Sequence, residues 1–257
     1  MIPKIDPINA AIELRKSIGW IHPSDFSLDI VAGSLGIEIK EIPINGSKGR
    51  IIMNGKNGII TIDEKIEYMA SKNFVVAHEI GHFLLHKDLI VCSDTLNTLS
   101  EWYKKGPQET EANNFASELL MPHNQFCQKV EGEKLNLDLI NSISAYFNVS
   151  KLSAFIKYVT YGAYPLMVIF MEDGYVKWKK CSLDFPFKFL PVNSRIPVYT
   201  VAGDYFYHKS SESEPEKVDA IEWFPEDYQI KYKKDWKLWE QCYKVSENDL
   251  VSCLWTD

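Results

Sequence analysis

A chain of 257 residues with 46% hydrophobic content is long enough to bury a sizeable core, and suits one large or two modest domains. Its formal net charge of -7 argues against broad nucleic-acid binding, which calls for a basic field. The five cysteines are scattered, odd in number and without a C-x-x-C pair, so they read as free thiols in a reducing cytoplasm, not as a disulfide framework or zinc ribbon. Met1-Ile2-Pro3-Lys4-Ile5-Asp6-Pro7 has no signal-peptide apolar core, and no run approaches membrane-spanning length. The expectation is a soluble cytoplasmic protein with no membrane association.

Residues 8–18 fit a short amphipathic helix, and Pro23-Ser24-Asp25 offers a cap for a second helix from Phe26 to about Ser34. The period then changes to two. Ile37, Ile39 and Ile42 alternate with charged residues, and Arg50–Met53 and Gly58–Ile62 flank an Asn54-Gly55 turn, which is a hairpin signal. A sheet therefore stands just before residue 75, and one of its strands, if at an edge, could hold an extended peptide through backbone bonds.

The segment Val75-Val76-Ala77-His78-Glu79-Ile80-Gly81-His82-Phe83-Leu84-Leu85-His86 is apolar except for three histidines and a glutamate, and contains H-E-x-x-H. On a helix, residues four apart share a face about 6 Å from each other, so His78 and His82 can reach one small cation. Glu79 then stands beside that cation as a base for a water bound to it. A core helix with hydrogen-bonded histidines is the plainer reading, but burying these groups without a partner is costly. Gly81, in mid-helix at a cost of about 1 kcal/mol relative to Ala, marks close approach by another element. His86 lies two turns, about 12 Å, beyond His78, too far to share its cation, and reads as structural or supporting.

Two histidines leave a zinc site one protein ligand short. Between the first-turn signal Pro107 and the stop signal Pro122, a helix is expected over about 107–121. Position 109 shares a face with Ala112, Asn113, Ala116, Leu119 and Leu120, small enough in part to pack on Gly81, whereas Glu111 points with Phe115 and Glu118. Geometry favours Glu109 as third ligand, with Glu111 the alternative. Both also suit the acidic preference of a helix first turn. Residues 87–106, joining the two helices, are long enough for a lid or binding loop bordering a substrate cleft.

Beyond Pro122, Leu135–Phe147 and Val149–Tyr161 read as two helices around Asn148-Val149-Ser150, a helix-turn-helix-like pair with only Lys151 and Lys157 as basic residues. A DNA-binding regulator is disfavoured on that footprint. Leu166–Phe170 and Tyr175–Trp178, around Glu172-Asp173-Gly174, form a second hairpin. Strand-like pieces follow at 185–190, 198–201 and 205–207, then a polar loop at 209–217 and an end rich in Lys and aromatic residues, read as further strands.

The pairing of HEIGHFLLH (78–86) with ETEANNFASELLMP (109–122) resembles the ImmA/IrrE family of bacterial zinc metallo-endopeptidases, which shows H-E-x-G-H-x-L-L-H followed by E-x-x-A-N-x-F-A-x-x-L-L-M-P. The likeness in layout runs from about residue 8 to about 162. It implies His78, His82 and Glu109 as zinc ligands (manganese being the alternative ion), Glu79 as catalytic base, and an XRE-type helix-turn-helix repressor as the protein substrate. The fold class expected is α+β. It comprises a zincin-like metallopeptidase core at 1–122, a helix-turn-helix-like segment at 123–162 and a β-rich accessory domain at 163–257. The alternative function is a non-catalytic zinc-containing sensor or binding module, against which the intact Glu79 speaks. The sequence does not choose an oxyanion donor; His123 and Tyr161 are among the candidates.

Overall fold

The computed structural model describes residues 5–86, 91–93 (backbone), 106–208, 214–245 and 249–256. Nearly all of the 87–106 connection and the first half of the 209–217 loop lie outside the described residues. The chain divides into two compact units, residues 1–129 with 137–153 and residues 130–136 with 154–257. The class is α+β, with two sheets and helices distributed over both units.

The first unit opens with α1 (Pro7–Ile18), started by the Asp6 side chain accepting from Asn9 N at 2.8 Å and stopped by Gly19 at φ 69. Next come α2 (Leu28–Ser34) and three strands, β1 (Ile37–Ile42), β2 (Gly49–Asn54) and β3 (Asn57–Asp63). The second helix starts two residues later than expected, because the Asp25 carboxylate instead accepts the backbone N–H groups of Ile21 and His22 and closes the preceding turn. The hairpin forms as expected, with Asn54 opposite Asn57 and Gly55 at φ 64 in the two-residue turn. β1 adds parallel to β3, and the sheet order is β1-β3-β2-β4, where β4 is Val91–Ser93. Of the three strands read from the sequence, β1 stands at an edge of the described sheet, while β2 and β3 lie inside it.

Against β2 and β3 packs α3 (Met69–Leu85), with the Phe83 ring against Gly58. Against α3 packs α4 (Pro107–Leu120), whose N-cap is Gly106 with Pro107 in the first turn. Ile51, Ile60, Val76, Ala77, Ile80, Ala112, Phe115 and Ala116 are part of the buried core between these layers. The buried Arg15 ties α1 to the end of α4, donating to Leu119 O at 2.8 Å and Ile21 O at 2.7 Å, with its guanidinium 4.6 Å from the centre of the Trp20 ring. Two further helices complete the unit: α5 (His123–Val130), which the sequence reading passed over, and α6 (Leu137–Phe147).

α7 (Lys151–Tyr161) carries the chain from the first unit into the second. The turn before it has Asn148 at φ 51 and the Ser150 hydroxyl accepting from Ser153 N at 3.1 Å. The second unit is built on an antiparallel sheet of order β6-β5-β9-β8-β7, comprising β5 (Leu166–Glu172), β6 (Tyr175–Cys181), β7 (Glu216–Asp219), β8 (Lys237–Lys244) and β9 (Asp249–Trp255). The β5–β6 turn has Asp173 and Gly174 at φ 51 and 82, as its sequence suggested. The pieces read as strands at 185–190, 198–201 and 205–207 are not strands. Residues 201–208 form a helix, α8 (Val201–His208), because Gly203 lets its backbone lie directly on the carbonyls of Pro197 and Val198. The aromatic end likewise begins with a short helix α9 (Ala220–Trp223) and a 3-10 turn at Tyr228–Tyr232 before its strands.

On β6, burial pulls the Lys180 ammonium from its ordinary 10.5 down to about 8. The unfolded chain then holds this proton more tightly than the folded one, so the cost is full below pH 8 and fades as the pH rises to 10.5. Lys180→Met is expected to raise stability at pH 7 by about 1–3 kcal/mol, with the gain vanishing above pH 10.5. Denaturant midpoints that coincide at pH 7 would contradict this.

Candidate metal centre

His78, Glu79 and His82 sit on the buried middle of α3, at 0%, 1% and 2% exposure. Their depth follows from the helix being apolar on nearly all sides: Val75, Val76, Ala77 and Ile80 are buried with them. Gly81 explains how α4 comes close enough to complete the group. A Cβ at that position would stand 3.2 Å from the Ala112 Cα and 3.1 Å from the Phe115 ring, so the α3 backbone lies directly against the α4 backbone and the Phe115 ring there.

That approach brings Glu109, in the first turn of α4, over the histidine pair. Its Oε2 is 3.3 Å from His78 Nε2 and its Oε1 is 3.3 Å from His82 Nε2, while the two Nε2 atoms are 2.9 Å apart. Among the described residues these three side chains form a group that could hold a metal ion, each offering one donor atom with all donors within 4.8 Å of one another. Burial lowers the His82 pKa, partly offset by its bond to Glu109.

The other ring nitrogens are engaged as well. His78 Nδ1 meets Asn113 Oδ1 at 2.9 Å and donates to it, which leaves Nε2 with a free lone pair. His82 Nδ1 lies 3.0 Å from His86 Nδ1, and His86 Nε2 lies 3.1 Å from Glu111 Oε2. With protons on both Nδ1 atoms of the pair, the Nε2 approach is lone pair against lone pair beside a carboxylate, an arrangement that a shared cation relieves. Two imidazoles and one carboxylate are a donor set that zinc takes, with room for a fourth position. The residues present therefore fit the ion.

Glu79 turns from the pair toward β2. A Cβ on Gly49 would come 3.1 Å from Glu79 Oε1 and would strike Val75, so the glycine keeps space for the carboxylate under the sheet. Glu111, weighed as an alternative ligand, is turned to His86 instead. Asn113 was read from the sequence only as a packing residue. Its signal was available, because it follows Glu109 by one helical turn on the same face. Of the two oxyanion candidates, His123 starts α5 with its ring beside Cys127 Sγ, 3.6 Å from Nδ1, and Tyr161 belongs to the second unit.

Comparison with known proteins agrees with the motif. Residues 32–156 match the IrrE N-terminal-like domain. Over 99 residues the chain is 33% identical to Metallopeptidase ImmA of Bacillus subtilis (strain 168), a match covering 35% of this chain and 49% of that protein. Residues 32–156 are an ImmA/IrrE-family domain. The chain spans about half the length of this curated relative. The ImmA/IrrE domain contains every residue of the cluster, from His78 to Asn113. A solved structure, a Mycobacterium tuberculosis transcriptional regulator, aligns over 98% of this chain and 88% of its own with a TM-score of 0.59 at 13% identity. That likeness is one of fold. No helix among the described residues is long and apolar enough to cross a membrane.

Proposed function

We propose that the chain is a zinc-dependent endopeptidase with a zincin-like core, in which His78, His82 and Glu109 hold the ion and Glu79 is the general base. The observation that carries this reading is the convergence of two buried imidazoles and one carboxylate within 4.8 Å, with a second buried carboxylate next in sequence to the first imidazole. A zinc ion held there would supply Lewis acidity, polarising a peptide carbonyl and lowering the pKa of a water toward neutrality. Glu79 takes the proton from the attacking water and delivers it to the departing amine nitrogen. Asn113 holds the His78 ring at its Nδ1, and the depth of α3 keeps bulk water from the base.

The substrate is proposed to be a single partner protein, a helix-turn-helix repressor of the XRE type, as the family likeness suggests. Manganese is the alternative ion. The second unit is proposed as an accessory domain for substrate choice or signal sensing. Cys127, Cys181, Cys242 and Cys253 are free thiols, which supports action in a reducing cytoplasm. The test is incubation of the purified chain with a co-encoded repressor, followed by mass spectrometry of the products. One new N-terminus, lost with a chelator and regained with added zinc, is expected. An intact repressor under all conditions counts against the substrate, and cleavage unaffected by chelation counts against the mechanism.

A further inference from the structure

We infer that His86 and Glu111 form a positioning relay that fixes which nitrogen of His82 faces the metal centre. The inference rests on the metal-centre reading given above, and reaches beyond it to two residues that hold no ion. Glu111 Oε2 can only accept when ionised, so the 3.1 Å contact places the proton of His86 on Nε2. A neutral His86 then has a bare Nδ1, and that atom lies 3.0 Å from His82 Nδ1. Unlike the two Nε2 atoms, which share a candidate cation site, these two Nδ1 atoms have none between them among the described residues, so one of them must donate, and a neutral His86 has no proton left on this side. His82 therefore carries its proton on Nδ1 and presents the Nε2 lone pair toward His78 and Glu109.

The geometry gives both metal-facing imidazoles the same tautomer by different means. His78 is set directly by the Asn113 amide oxygen, and His82 by a carboxylate acting through a second imidazole. His86 is 8% exposed and the Glu111 side chain 16%, so water competes weakly for these bonds. The spacing explains why the third histidine is needed. His86 stands one helical turn after His82 on the same face and, as the cap residue of α3, can turn its ring between that helix and α4. Glu111 lies two residues beyond Glu109, so the start of α4 serves the site twice, once facing the histidine pair and once from behind His82.

Two readouts decide the matter on the full-length protein. In the metal-free form, long-range nitrogen–proton NMR correlations of the imidazoles are expected to show His82 protonated at Nδ1, and Glu111→Ala is expected to shift that ring toward the Nε2–H tautomer. The second readout is zinc(II) affinity, measured by competition with a chromogenic chelator. His86→Phe is expected to weaken it about 10–100-fold. His86→Gln, whose amide oxygen can accept the His82 Nδ1–H, is expected to recover most of the loss. A metal-free wild type with His82 protonated at Nε2 overturns the relay, as does an unchanged affinity in His86→Phe. Should wild type bind no zinc, the metal-centre reading fails, and the NMR measurement still decides the tautomer by itself.

Discussion

Glu79→Gln is expected to lower the rate of repressor cleavage by about 10²–10⁴-fold while leaving zinc content and affinity unchanged. Glutamine matches glutamate in size, so the side chain still fits beside Val75 in the space left by Gly49. What it loses is the capacity to accept a proton from water. The ligands His78 and His82 keep their own supports at Asn113 and His86, neither of which involves position 79. The measurement is single-turnover cleavage of the repressor beside metal analysis of the same preparations. Equal cleavage rates in the two proteins would remove Glu79 from the chemistry. A loss of metal in Glu79→Gln would mean that its carboxylate supports the cluster.

The largest effect on stability is expected at Glu240, in the middle of β8 and fully buried. One of its oxygens accepts Val201 N at 3.0 Å and Trp223 Nε1 at 3.1 Å, and the other accepts Ala202 N at 3.1 Å and Ser252 Oγ at 2.8 Å. A single side chain thereby joins β8 to the start of α8, to α9 and to β9. Burial raises its pKa even against these donors. Glu240→Ala strands three buried N–H groups at about 1–3 kcal/mol each, a total on the order of 5 kcal/mol. That is a large part of the 5–15 kcal/mol typical of a folded domain. The expected result is early melting of the second unit, together with loss of hydrogen-exchange protection at the Val201 and Ala202 amides. Glu240→Gln keeps one acceptor oxygen and is expected to fall between the two. Wild-type protection in Glu240→Ala would show that these donors find other partners.

The candidate metal centre was largely legible in the sequence because its geometry is local. His78 and His82 need only one helical turn, and Glu109 was separable from Glu111 by the helix face it shares with Ala112 and Asn113. What the sequence could not supply was the tertiary part. His86 and Glu111 are 25 residues apart and meet only because Gly81 lets α4 lie against α3. The strands of the first hairpin were legible from period and turn chemistry, as was the β5–β6 turn. α8 was not, since its aromatic residues mimic strand alternation and its helical state depends on Glu240 receiving its first N–H groups. α5 follows the stop signal Pro122 at once, and Pro122 O accepts from Phe126 N, so the residue read as an end also begins the next helix. Glu240 itself, flanked by Trp239 and Gln241, gives no sign in the sequence of being buried.

The most direct test of the central claim is metal analysis of the purified full-length protein beside a His78→Ala, His82→Ala double variant that retains its fold by circular dichroism. About one zinc per chain in the wild type and almost none in the variant is the predicted result. Equal metal content in the two proteins, or none in the wild type after purification without chelator and with zinc supplied, would contradict it and return α3 to the role of a core helix with hydrogen-bonded histidines.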